Sequence, residues 1–160
     1  MAKVIGLVFA LFVLAFATIA QCHKQEVFTV EGDVYCDPCR VQFQNPLSEK
    51  LAGAAVKLEC VNLETKAVTY SVEGVTDGTG KYSLKVSGDH ENDSCSVKAV
   101  KSPKPECSEP LTDVELSRVD LTENIGIHSD VRFANPIGFM TKDPHAQCIS
   151  VLQDIFSDQD

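Results

Sequence analysis

The sequence has little positive charge, because 14 Lys and Arg residues stand against 23 Asp and Glu residues, a net charge of -9. Nucleic-acid binding depends on clustered Lys and Arg, so this composition argues against a nucleic-acid partner. It also argues against adhesion to anionic lipid. A basic or neutral extracellular partner is compatible with such a surface, although net charge concerns solubility and steering rather than function.

Long apolar runs are also lacking beyond the N-terminus. The uncharged run from Val4 to Ala20 follows Lys3, which is the order of a secretory signal peptide at residues 1–20. The run is short for a membrane span, which needs about 20 apolar residues, so a retained anchor is the alternative reading. Cleavage after Ala20 is preferred to cleavage after Cys22. The acidic tail lacks a lipid-anchor signal, so we expect a secreted protein without stable membrane insertion.

No catalytic constellation is recognisable, so we predict no enzyme, no catalytic residue and no cofactor. None of the histidines has a Ser or Cys nucleophile and an acidic residue at a spacing typical of a triad. We interpret them as surface or loop residues; they are His23, His90, His128 and His145. Internal repeats and linkers are also lacking, which favours one domain at residues 27–157.

Cysteine is plentiful by contrast. The seven cysteines are Cys22, Cys36, Cys39, Cys60, Cys95, Cys107 and Cys148. An even set in a secreted chain is typical of a disulfide framework, and the six cysteines of the body allow fifteen pairings. Cys22 is the odd one and lies beside the cleavage region.

Short segments rich in β-branched and aromatic residues, or with alternating apolar residues, predict strands. They are Val27–Val34, Gly53–Cys60, Ala67–Val72, Lys81–Val86, Cys95–Ala99, Val114–Leu121 and Ile125–Phe133. Three prolines in Ser102–Pro110 exclude a central strand there. Asn135–Phe139 is predicted to be a loop and Ala146–Phe156 a helix. The pattern indicates an all-β fold, an antiparallel β-sandwich or barrel of about seven strands with a short C-terminal helix.

Two cysteine arrangements have alternative interpretations. Cys36 and Cys39 have the spacing of a thiol–disulfide motif. Together with His145 and Cys148 they could also form a four-ligand zinc set. Structural disulfides dominate in secreted chains and oxidising export competes with thiolate ligation, so we predict structural cysteines and no metal.

The polar stretch Gly88–Ser94 offers two further candidates. Asp89, Glu91 and Asp93 alternate around His90 and could suggest calcium, but no EF-hand pattern follows and a solvated acidic loop is the expected reading. Asn92 begins the acceptor sequence Asn-Asp-Ser, which predicts N-glycosylation in an exposed loop.

The run Glu31–Arg40, EGDVYCDPCR, closely resembles the signature of the plant pollen Ole e I allergen and extensin family. Three further blocks are similar to conserved blocks of that family: Gly53–Cys60, Gly80–Leu84 and Asn135–Phe139. The spacing of the six body cysteines also looks like the family's. The resemblance spans about residues 27–150 and includes no counterpart of Cys22.

The resemblance implies a small β-barrel or sandwich that is secreted to the plant extracellular space, the apoplast, and has no enzymatic activity. Carried over by position, the disulfides would be Cys36–Cys107, Cys39–Cys148 and Cys60–Cys95. Relatives are thought to act in pollen-tube growth through receptor kinases, or in cell walls as parts of extensin-like chimeras. The implied partner is therefore an extracellular receptor or a cell-wall component. The lack of a Pro-rich extensin tail weakens the cell-wall version.

Overall fold

The structure is a computed structural model that describes residues 26–112 and 116–157. The predicted signal peptide, Cys22 and His23 lie outside the described residues. The strands are β1 (Val27–Asp37), β2 (Glu49–Lys50), β3 (Ala55–Asn62), β4 (Val68–Val75), β5 (Lys81–Ser87), β6 (Asp93–Lys101), β7 (Cys107–Pro110), β8 (Leu116–Val119), β9 (Val131–Phe133) and β10 (Ile137–Thr141). One helix, α1, spans Cys148–Ser157.

Strand β1 is the centre of the larger sheet and pairs with four other strands along its length. Its first part, Val27–Asp33, pairs antiparallel with β5, and Thr29–Glu31 pairs parallel with β9. Its last part, Val34–Asp37, pairs parallel with β10, and β2 pairs antiparallel on the other side. β7 joins this six-stranded sheet through β10.

The second sheet has four antiparallel strands in the order β4-β3-β6-β8. The two sheets form a sandwich, which confirms the predicted fold class. The parallel pairing of β9 and β10 with β1 was not foreseen, because periodicity in a sequence does not encode the direction of a neighbouring strand.

Alternating side chains build the core between the sheets. In β5 the apolar residues Tyr82, Leu84 and Val86 are buried, and the residues between them are exposed. The same alternation in β3 buries Val56 and Leu58. Period-two patterning therefore gave the correct inward face for these strands.

The prediction of a loop at Asn135–Phe139 is wrong, because β10 begins at Ile137 and lies between β1 and β7. The first four residues of β10 are all buried. A continuous apolar segment of this kind is typical of a strand covered on both faces, which does not show alternation. Only Asn135 and Pro136, the two residues directly before β10, lie outside a strand as predicted.

The remaining differences concern strand number and length. β2, β7 and β10 are additional to the seven predicted strands. β7 is an edge strand, as the prolines of Ser102–Pro110 require. Within Ile125–Phe133, strand pairing is confined to Val131–Phe133.

Gly138 is the point of closest approach between β1 and β10. A Cβ at Gly138 would lie 2.1 Å from the carbonyl oxygen of Tyr35, a backbone atom that cannot rotate away. We expect Gly138→Ala to lower the free energy of unfolding by about 3 kcal/mol, at the upper end of overpacking costs. Urea unfolding followed by circular dichroism measures this change. Gly78→Ala is the control, since nothing lies within 4 Å of its added Cβ, and an equal loss in both variants would contradict the expectation.

Helix α1 touches the sandwich mainly through its first residue. Of its residues, Cys148 is buried, whereas Ile149 is 71% exposed and Phe156 is 59% exposed. The helix covers most of the predicted range Ala146–Phe156. In the part of the chain that the structure describes, no helix is long and apolar enough to cross a membrane.

Three disulfides tie the elements together, as many as expected. Cys36–Cys107 joins β1 to β7, Cys39–Cys148 joins the segment after β1 to α1, and Cys60–Cys95 joins opposite positions of β3 and β6. These are the pairs that the family resemblance implied.

Candidate functional site

Most residues of the motif Glu31–Arg40 have a structural role. Gly32 lies opposite Tyr82 in the β1–β5 ladder, and a Cβ at Gly32 would come within 2.3 Å of the Tyr82 hydroxyl. Tyr35 is buried with Leu111 and Met140 in a small cluster of its own. Tyr35 therefore packs inside the protein rather than recognising a ligand.

Asp37 organises the loop that follows β1. Its side chain is fully buried and accepts hydrogen bonds from the backbone amides of Cys39 (2.9 Å) and Gln42 (2.7 Å) and from the Asn45 side chain (3.4 Å). Arg40 and Gln42 have positive φ angles of 58° and 61°, which these bonds help to hold. The segment that follows β1 is thus a loop organised around the Asp37 carboxylate.

The two cysteines of this loop are bonded to distant partners and not to each other. Cys36 is bonded to Cys107, and Cys39 is bonded to Cys148. A thiol–disulfide exchange site needs its two nearby cysteines to form one reversible bond, so this pairing speaks against redox chemistry. The same bonds occupy the sulfurs that the zinc set with His145 would need.

Arg40 attaches the outer side of this loop to neighbouring strands. Its Nη1 lies 2.5 Å from a carboxylate oxygen of Glu109 and donates to the carbonyl oxygen of Thr141 at 2.5 Å. The Arg40 side chain is one-third exposed, so the ion pair contributes about 1 kcal/mol or less. The last residue of the motif therefore attaches the loop to β7 and β10 rather than offering a free cation.

His90 lies in the loop between β5 and β6, which agrees with its interpretation as a surface or loop histidine only in part, because its side chain is buried. Its Nδ1 lies 2.9 Å from Oδ2 of Asp93, and its ring packs edge-on against Tyr70 with 5.3 Å between centroids. A ring nitrogen of His90 lies within 4.8 Å of the sulfurs of Cys60 and Cys95, the one cluster of potential metal ligands among the described residues. Both sulfurs belong to a disulfide, so they offer no thiolate to a metal.

The carboxylate of Asp93 is engaged in hydrogen bonds within the protein, which speaks against its predicted alternative role as a calcium ligand. Its carboxylate binds His90, accepts from Thr69 Oγ1 at 2.7 Å and accepts from Asn62 at 3.3 Å. Partial burial by itself would raise the pKa of Asp93, but these hydrogen bonds outweigh it and lower the pKa below the usual 3.8. The stretch Gly88–Ser94 is therefore anchored at His90 and Asp93, and Asp89, Glu91 and Asn92 are exposed.

The Asp93 contacts predict a pH-dependent contribution to stability. We expect Asp93→Asn to lower the free energy of unfolding by about 1–2 kcal/mol at neutral pH. Because the folded-state pKa is lowered, this contribution is present above the unfolded value and is lost as pH falls through the folded value. Urea unfolding at neutral pH and below about pH 3 should show the difference disappearing in acid. A difference that persisted in acid would contradict the role of the charged carboxylate.

A surface groove of about 550 Å³ opens beside the first half of the motif. Its lining includes the carboxylates of Glu31, Asp33 and Asp77, the ammonium group of Lys81, and the apolar side chains of Val75 and Phe133. Phe133 is 78% exposed and Val75 is 64% exposed. Exposed apolar side chains that are bordered by polar groups are a feature of interaction sites.

Comparison with known proteins identifies the family of this chain. The family model described as "Pollen protein Ole e 1 like" matches residues 26–156, which is nearly all of the described chain. The chain belongs to the Ole e 1-like pollen protein family. The resemblance inferred from the motif Glu31–Arg40 is thereby confirmed.

Relatives match over most of their length. Anther-specific protein LAT52 of Solanum lycopersicum is 54% identical over 155 residues, which cover 97% of this chain and 96% of that protein. Pollen allergen Che a 1 of Chenopodium album is 46% identical over 152 residues, 93% of this chain and 90% of that protein. The crystal structure of the major plantain pollen allergen Pla l 1 matches with a TM-score of 0.69 and 42% identity, and covers 76% of this chain and 99% of that chain.

Membership of the Ole e 1-like family indicates the general class of this protein. Its members here are anther and pollen proteins and pollen allergens, and they are not known as enzymes. A chain of this family with three disulfides is consistent with secretion. The parts of the prediction that concern the signal peptide and glycosylation remain predictions.

Asn92 is the predicted glycosylation site. It is exposed in the turn before β6, and its backbone carbonyl accepts a hydrogen bond from the amide of Leu63 at 3.0 Å. An exposed turn is accessible to a glycosyltransferase. We expect the secreted protein to lose a glycan mass on Asn92→Gln, and on Ser94→Ala, which destroys the sequon while keeping Asn92. Intact mass spectrometry measures it, and equal masses before and after glycosidase treatment of the wild type would refute it.

No pattern in the sequence indicated the groove. Asp77 lies 44 or more positions from Glu31 and Asp33, and Phe133 lies a further 56 positions along the chain. Residues this far apart form no local motif, and only the folded chain brings them together.

Proposed function

We propose that this protein is a secreted, non-enzymatic binding module that acts in pollen or in pollen-tube growth by presenting its surface to an extracellular receptor. The observation that carries the proposal is the 54% identity, over nearly the full length of both chains, to an anther-specific protein. Similarity at this level over 155 residues supports a shared tissue, the anther.

The structure supports this role through its rigidity. Two disulfides and the Asp37 carboxylate fix the segment that follows β1, and loops on a rigid scaffold are suited to specific contacts. Disulfide cross-links reduce the conformational freedom that a binding surface would otherwise lose on association. The exposed part of Gly88–Ser94 and the groove beside Glu31 are the surfaces available for such contacts.

A structural role in the cell wall is the second candidate. The acidic chain could be retained by basic wall polymers through charge alone. The two candidates differ in reversibility, because a diffusible ligand is released by a low-salt wash and a wall component is retained.

The test applies the full secreted protein, labelled at its N-terminus, to germinating pollen and to pollen protoplasts that lack a wall. A binding module should bind protoplasts saturably and be displaced by unlabelled protein. Reduced and alkylated protein is the control and should not bind, since it lacks the scaffold. Retention on intact walls after low-salt washing, without saturable binding to protoplasts, would favour the cell-wall candidate and overturn the proposal.

A further inference from the structure

One row of residues across the groove beside β1 combines a carboxylate with an aromatic ring. In the register of the larger sheet, Glu31 lies opposite Ser83 on one side and opposite Phe133 on the other. Residues opposite each other on adjacent strands have side chains on the same face, with Cβ atoms about 5 Å apart. Glu31 and Phe133 therefore present a carboxylate and an exposed aromatic ring side by side.

The lining of the groove holds three carboxylates and one ammonium group. Asp33 is engaged by Lys50 in an ion pair and by Gln44 at 2.8 Å. Glu31 takes part in none of the ion pairs found among residues 26–112 and 116–157. Asp77 stays ionised, because hydrogen bonds from the Thr79 side chain and from the backbone amides of Lys81 and Thr79 lower its pKa. Within the groove, Lys81 is the cation facing these carboxylates.

On its other face, the β1–β9 strand pair contains a complete stack of a guanidinium group on an aromatic ring. Arg132 of β9 lies over the ring of Phe28 of β1, with 4.8 Å from the guanidinium carbon to the ring centroid. Carbonyl oxygens of Asp120 and Thr122 hold that guanidinium. On the outer face, the ring of Phe133 and the carboxylate of Glu31 lie side by side, but among the described residues no guanidinium lies over the Phe133 ring.

We propose that this groove binds an arginine side chain of a basic segment in a protein partner, with the guanidinium stacked on Phe133 and hydrogen-bonded to Glu31. Arginine fits better than lysine because its planar fork can stack on a ring and bond a carboxylate at the same time. The exposed Val75 receives an apolar residue next to the arginine. The proposal rests on the function proposed above and names the chemistry of the partner.

The binding test uses three fluorescent hexapeptides with the full secreted protein, in which leucine alternates with arginine, with lysine or with glutamate. Fluorescence anisotropy should give the tightest binding for the arginine peptide, weaker binding for the lysine peptide and none for the glutamate peptide. Amide chemical shifts should change at Glu31, Gly32, Ser83 and Phe133. Equal binding of the glutamate peptide, or shift changes confined to another surface, would overturn the proposal.

Two variants and two controls locate the contacts. Glu31→Gln should weaken binding of the arginine peptide by about tenfold or more, because it removes a charge-assisted hydrogen bond. Phe133→Ser should weaken it by about threefold to tenfold. The controls Glu64→Gln and Phe156→Ala change an exposed carboxylate and an exposed aromatic ring outside the groove and should leave binding unaltered. Wild-type affinity in Glu31→Gln would overturn the proposal.

Two further outcomes are informative. Calcium chloride that shifts the Glu31 and Asp77 amides at concentrations where the arginine peptide has no effect would replace the peptide site by a cation site and overturn the proposal. If the arginine peptide does not bind, but wild type and Glu31→Gln bind pollen protoplasts equally, the groove assignment fails and the proposed function stands. If wild type does not bind protoplasts at all, the proposed function fails by itself.

Discussion

The double variant Cys39→Ser/Cys148→Ser is expected to release helix α1 and to lose up to about 5 kcal/mol of unfolding free energy. The disulfide spans 109 residues, and the chain-entropy model assigns about 5 kcal/mol to a loop of that length. Cys148 is the buried residue of the helix, so the bond is its principal attachment. A free helix of ten residues is too short to be stable in water, and we expect it to unfold.

Limited proteolysis and thermal unfolding measure the two parts of this result. The variant should be cleaved within residues 143–157, and the sandwich that remains should resist digestion. Changing both cysteines avoids a reactive unpaired thiol.

Two controls separate local release from general destabilisation. Cys36→Ser/Cys107→Ser opens a loop of 71 residues and should cost a similar amount without exposing the helix to protease. Ile149→Ser changes a residue that is 71% exposed and should alter neither property. If the Cys39→Ser/Cys148→Ser variant kept wild-type protease resistance in the C-terminal segment, the helix would have to be held by contacts other than the disulfide.

Asp37→Ala should be the most damaging single substitution within the loop after β1. The side chain is fully buried and accepts from two backbone amides and one side-chain amide, so its removal leaves buried donors without acceptors. We expect a loss of about 3–5 kcal/mol, because hydrogen bonds to charged groups contribute more than neutral ones and unsatisfied donors add a penalty. Urea unfolding at neutral pH provides the measurement.

The control for Asp37 is a carboxylate with the same kind of bond in an exposed place. Asp89 accepts from the backbone amide of Glu91 at 3.0 Å, but it is exposed, so water can replace the lost bond in Asp89→Ala. That variant should lose less than about 1 kcal/mol. Asp37→Asn should be intermediate, since the amide keeps one acceptor oxygen. Similar losses in Asp37→Ala and Asp89→Ala would contradict the special role of the buried carboxylate.

Strands with one buried face were predictable from the sequence alone. β3 and β5 alternate apolar and polar residues, and the structure buries the apolar ones. β10 was missed because it is buried on both faces and has no alternation to detect. The same limit applies to the C-terminal half of β1, whose last four residues are all buried.

Individual polar residues were harder to interpret than strands. A histidine inside the acidic stretch Asp89–Asp93 looks like a surface residue from composition. The fold instead turns His90 inward against Tyr70, where its ring nitrogen bonds Asp93. A local sequence pattern cannot report such burial, because the side chains that cover His90 come from distant strands.

The sequence by itself determined the family, the β-rich fold class and the number of disulfides, because these depend on a contiguous motif, on local periodicity and on the number of cysteines. Tertiary structure alone decided that β10 lies beside β1 in parallel, that His90 is buried, and that Glu31 and Phe133 stand side by side at the groove. The physical reason is that strand neighbours and their directions are chosen by which apolar faces can be buried together. That choice joins residues about a hundred positions apart, and no local pattern in the chain records it.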